Sequence, residues 1–100
     1  MHYRKRPVVI EAWLASDLLY AAAKEWKLLP EPVKEAYEEG DVIFHDTYIT
    51  IATLEGTHRA EKTDMVIRGV KGELYPCKPD IFEATYEAVA ENIESGATSV

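Results

Sequence analysis

Three histidines, one cysteine and a set of cations near aromatic rings are the residues with chemistry to offer in this sequence. His2, His45 and His58 do not stand at the spacing of helical metal ligands. Only Cys77 is available to join them. A site built from His45, Asp46 and His58 would need a hairpin to align them, and three weak ligands make a poor zinc site. No metal is expected. Cys77 lies in Tyr75-Pro76-Cys77-Lys78-Pro79, where Lys78 is placed to lower a thiol pKa. A thiol nucleophile also needs a positioned base, and no histidine is near in sequence. The plain alternative is a small residue packed into a tight turn. Carboxylates are plentiful, but sequence alone does not pair them for acid–base work. A phosphate-cradling glycine loop, a Gly-x-Ser-x-Gly elbow and a His-Glu-x-x-His helix are all missing. The expectation is a protein that is not an enzyme, with no catalytic residue and no cofactor.

Binding chemistry has more support. Arg68, Lys71 and Lys78 lie in or beside one hairpin, with Tyr75 among them. Arg4 and Lys5, followed by Arg6, cluster beside Tyr3 at the other end of the sequence. Such a set suits a small phosphorylated, base-bearing ligand: cations meet phosphate and a ring stacks on the base. Structural roles compete with that assignment. Lys71 is a good turn residue, Tyr75 suits a core, and lysine on an edge strand blocks aggregation. Tyr20, Trp26 and Leu29 form a second candidate surface, for a protein partner or a second copy. They too suit a core.

The elements that would position these residues follow from local pattern. Residues 7–14 read as a strand opened by Pro7, with Val8, Val9 and Ile10 β-branched. Ser16 or Asp17 is placed to cap a helix over 18–26. Pro32 suits the first turn of a second short helix, which Gly40 would end. Strands are expected over 42–45, 48–54, 57–60, 65–70 and 73–75, with turns at Glu55-Gly56 and Lys71-Gly72. Pro76 and Pro79 should stop the last ladder. One helical turn follows over 80–84, then a return strand over 86–89, then a short helix through Ile93 or a frayed end. Strands joined by short turns imply a mostly antiparallel sheet. The expected fold is therefore α+β: one domain over residues 1–100, with a helical insertion after strand one.

Composition bounds the rest. One hundred residues make one domain. A chain this size buries only about 60–65% of its unfolded surface, which favours a homo-oligomer. The net charge of −7 argues against general nucleic-acid binding, which needs a basic face. A single cysteine excludes an internal disulfide and fits a reducing, cytoplasmic setting. The apolar run at 8–10 is too short for a signal peptide, and nothing approaches transmembrane length.

Both ends of the chain resemble one family. Tyr3-Arg-Lys-Arg-Pro-Val-Val-Ile-Glu-Ala-Trp13 looks like the Tyr-Arg-Lys-Lys-Pro-Val-Val-Ile-Glu-Ala opening of small proteins of tailed phages and prophages. Thr53-Leu-Glu-Gly-Thr57 and the block from Ile67 to Glu87, with Gly-Val-Lys-Gly-Glu-Leu-Tyr-Pro-Cys-Lys-Pro-Asp-Ile-Phe, are similar to the same family. The matching segments are 3–13 and 53–87; the helical region 16–40 is the variable part. Thr63-Asp64-Met65 departs from the usual Gly-Asp-aromatic, and Leu74 stands where the family has Phe. Both changes remove aromatic surface near the hairpin. The resemblance implies a setting in a host bacterial cytoplasm, acting on host machinery. One mode is sequestering a nucleotide second messenger of antiviral defence, at Arg68, Lys71, Tyr75 and Lys78, with Arg4 and Lys5. The other is inhibiting a host enzyme or defence protein through Tyr20 and Trp26.

Overall fold

The computed structural model of the chain describes residues 1–4 and 6–89. Its elements run β1 (Glu11–Leu14), α1 (Ala15–Lys24), a 3₁₀ turn (Trp26–Leu28), α2 (Glu31–Glu38), β2 (Val42–Phe44), β3 (Tyr48–Thr53), β4 (Gly56–Glu61), β5 (Met65–Arg68), β6 (Leu74–Cys77) and α3 (Pro79–Thr85). The fold is α+β, with the helices of the insertion directly after the first strand. Every strand pair is antiparallel, but the strands divide into two three-stranded sheets, β1-β5-β6 and β2-β3-β4. One hydrophobic cluster joins them: Ile49 and Ile51 from the second sheet meet Val66 and Leu74 from the first, with Leu18, Leu19 and Val33 from the helices. Helix α1 packs on β3 and β4, and α2 packs on β2.

Several expectations need correction. The first strand is only four residues long, because Glu11↔Arg68 is the last pair that β5 can offer. Residues 7–10, although Val8, Val9 and Ile10 are β-branched, have no ladder partner. Helix α1 begins at Ala15, earlier than Ser16 or Asp17 could cap it, and carries no side-chain cap. Its first N–H groups are met by backbone instead: Ala15 N donates to the Asp64 carbonyl at 2.9 Å and Ser16 N to the Lys62 carbonyl at 3.1 Å. A turn between β4 and β5 thus does the work that a capping residue does elsewhere. Pro76 does not stop the ladder; it pairs opposite Val66 inside β6. β6 is an edge strand, where a missing N–H is harmless. Residues 86–89 form no strand. The helix considered through Ile93 lies outside the described residues.

Two turns follow local rules. After α2, Gly40 takes φ +86°. Its N–H reaches the Tyr37 carbonyl while Asp41 N reaches that of Ala36, the paired bonds of a Schellman stop. Between β5 and β6 the loop is longer than a two-residue turn. Gly69 N donates to the Glu73 carbonyl, Gly72 N to that of Gly69, and Lys71 N to the Glu73 carboxylate.

Candidate functional site

A solvent-open groove of about 960 Å³ is the main candidate cavity among the described residues. Val42, Ile51 and Leu74 contribute apolar floor, and the 69–73 loop forms one wall. Arg68, Lys71 and Tyr75 border it. Five carboxylates border it too: Glu35, Glu39, Asp41, Glu55 and Glu73. With two cations against five anions, the rim is acidic.

The cation and aromatic set assembles there only in part, since Lys78 and Arg4 are not in its lining. Arg68 makes a cross-strand ion pair with Glu11 at 3.1 Å. Tyr75 pairs opposite Ile67, and strand alternation sends both side chains to the face of the first sheet away from Arg68 and Leu74. Its hydroxyl lies 3.5 Å from that of Tyr86, and burial first, then this contact, pushes its pKa up to about 12. Tyr75 is half-buried, with its hydroxyl directed to Tyr86. Lys78 serves elsewhere again, 3.3 Å from the Asp64 carboxylate. Arg4 is exposed on the amino-terminal arm. Lys5 lies outside the described residues.

Asp64, which the sequence presented only within Thr63-Asp64-Met65, is the one buried charged side chain among the described residues, 2% exposed. Its Oδ2 accepts from Glu61 N at 2.8 Å, while Asp64 N donates to the Glu61 carbonyl at 2.9 Å. The 61–64 turn is closed twice, and its carbonyls then receive the start of α1. An aspartate at a turn is the available sequence signal.

The other reactive candidates disperse as well. His45 and His58 cannot share a metal. His45 bonds Thr50 on the outer face of the second sheet, while His58 pairs opposite Ile51, whose side chain is core. Among the described residues, no three His, Cys, Asp or Glu side chains gather to hold a metal ion. His45 stacks on the Tyr48 ring at 4.2 Å, and the Arg59 guanidinium lies 3.7 Å from the same ring centroid while pairing with Glu61. Burial, followed by Asp64 and Asp80, pushes the Cys77 thiol up. Its protonated form is favoured, the opposite of what a nucleophile requires.

The helical region holds a different arrangement from the expected one. Leu29 is core, and Tyr20 is exposed on α1 apart from any aromatic partner. Trp26 instead meets Tyr37 of α2 and Phe44 of β2. The ring centroids are 5.0 Å apart for Trp26–Tyr37, 6.0 Å for Trp26–Phe44 and 5.7 Å for Tyr37–Phe44. Trp26 is 40% exposed and Tyr37 44%. The 3.6-residue stripe of α2 shows Tyr37, but its meeting with Phe44 depends on how α2 lies on β2.

No family model, curated protein or solved structure matches this chain. Among the described residues no helix is long and apolar enough to cross a membrane.

Proposed function

We propose that this chain is a non-enzymatic binding protein that acts by direct contact with another protein, through the ring cluster of Trp26, Tyr37 and Phe44. The observation that carries this reading is that Trp26 and Tyr37 stay some 40% exposed while Trp26 stands edge-on to both Tyr37 and Phe44. Rings already fixed lose little entropy when a partner covers them. Tryptophan and tyrosine in such positions dominate binding energy. The likeness of both ends to tailed-phage proteins supports a partner within the host bacterial cytoplasm, where blocking an enzyme or defence protein would be the role.

A nucleotide second messenger is the other reading. Arg68 and Lys71 on one groove favour it; the five neighbouring carboxylates oppose a phosphate-bearing ligand, and the Tyr75 hydroxyl is engaged with Tyr86. We therefore rank it second.

Capture from host lysate with the tagged chain tests the first reading. A stoichiometric partner should be recovered, and Trp26→Ala or Tyr37→Ala should weaken its binding by about 30-fold, the effect of losing a residue worth about 2 kcal/mol. A partner that binds both variants as tightly as the original chain would remove the aromatic cluster from the mechanism. Calorimetric heat with cyclic di- or trinucleotides, lost on Lys71→Glu, would replace this reading with the nucleotide one.

A further inference from the structure

The arm that precedes β1 is out of keeping with the rest of the chain. Before Glu11 it contains no acidic residue and three consecutive cations, Arg4, Lys5 and Arg6, in a protein of net charge −7. Tyr3 is 86% exposed and Val9 79%, and Val8 is exposed beside it. A β-branched run left mostly exposed, with only Ile10 half-buried, is an unsatisfied element of the fold.

The groove is its chemical complement. Five carboxylates and two cations leave its rim at −3 with His58 neutral, and its floor is apolar. The arm offers +3 followed by Pro7, Val8, Val9 and Ile10. Register decides which molecule's groove is meant. The ladder ends at Glu11↔Arg68, so the arm leaves past the end of β5, alongside Gly69, Val70 and Gly72. Arg68, Val70 and Gly72 line both the groove and the recess beside Val9 and Ile10, so the groove and the arm's exit lie on either side of one loop. The seven residues from Arg4 to Ile10 reach about 23 Å when extended, long enough to cross to a neighbouring molecule.

We infer that the groove receives the amino-terminal arm of a second copy of this chain, in a twofold dimer that exchanges its arms. Arg4 and Arg6 meet the acidic rim, and Val8 and Val9 cover the floor. Reciprocal exchange closes the assembly at two chains, because each groove and each arm is used once. This surface lies across α2 from the aromatic cluster, so it stands independently of the function proposed above.

Sedimentation equilibrium of the full chain with paired charge reversals tests this directly. The unaltered chain should dimerise at low salt, and 0.5 M salt should weaken the dimer at least tenfold, since exposed charge pairs are screened. Arg4→Glu with Arg6→Glu should leave a monomer, as should Glu35→Lys with Glu39→Lys. Mixing those two variants should restore a dimer of one copy each, because each arm then meets a groove of opposite sign. All four positions are on the surface, and circular dichroism checks that each variant is folded. The inference is overturned by a chain that stays monomeric at about 100 μM in low salt, by a dimer indifferent to either reversal, or by two variants that fail to pair when mixed.

Discussion

Replacing Asp64 with Ala should cost this protein more stability than any other single truncation of a charged side chain. The substitution removes an acceptor from inside the core. A backbone N–H bonded to an ionised carboxylate is worth about 1.5–3 kcal/mol, and here Glu61 N makes that bond at 2.8 Å. The Lys78 partner adds little: its side chain is 60% exposed, and ion pairs in such positions contribute about 0–1 kcal/mol. Together these give about 2–3 kcal/mol, or a fall in Tm of about 10–20 °C for a domain this size. Asp64→Asn keeps an oxygen for Glu61 N and should cost about 1 kcal/mol. Lys78→Met should cost no more than that. Urea unfolding followed by tryptophan fluorescence ranks the three. Amide hydrogen exchange adds a local readout: Ala15 and Ser16 donate to this turn, so they should lose protection in Asp64→Ala and keep it in Lys78→Met. If Asp64→Ala and Lys78→Met cost the same within about 0.5 kcal/mol, the exposed ion pair and not the doubly closed turn holds this corner, and the reasoning fails.

Two further outcomes concern ionisation. The Tyr75 phenol, raised to about 12 by burial and by Tyr86, should give the last tyrosinate transition in an absorbance titration, and Tyr75→Phe should abolish it. The unfolded phenol ionises near pH 10, so above that pH the unfolded state sheds this proton first. The contribution is whole below about pH 10 and is lost as pH rises towards 12; a Tyr75→Phe variant with the same stability loss across that window would refute the assignment. Cys77, with its pKa raised mainly by burial, should react with iodoacetamide at pH 8 more slowly than free cysteine. A rate equal to or above that of the free thiol would reopen the case for a nucleophile.

Much of the architecture was legible because it rests on short-range rules. The α+β class, the antiparallel pairing and the place of the helices come from residue periodicity and from strands joined by short links. Gly40 and Gly72 occupy the positive-φ positions that glycine takes most readily. Pro32 and Pro79 sit in first helical turns, where a missing N–H is harmless. Of the candidate site, sequence brought Arg68 and Lys71 to one groove and Trp26 to a half-exposed surface.

What the sequence could not decide was which face each residue takes and who stands opposite. Tyr75 and Arg68 are near neighbours in the hairpin, but the register of β5 against β6 puts them on opposite faces of a sheet. Pro76 is tolerable only because β6 became an edge, which depends on the order of strands distant in sequence. The start of α1 needed no capping side chain because a turn some fifty residues later supplies carbonyls to it. The residues before Glu11 have the composition of a strand and lack a partner only because β5 ends at Arg68. Propensity acts within a few residues, whereas facing, pairing and burial are set by contacts between segments far apart in the chain. Residue types and turns were therefore determined by the sequence read locally, and the groove, the ring cluster and the unpaired arm by tertiary structure alone.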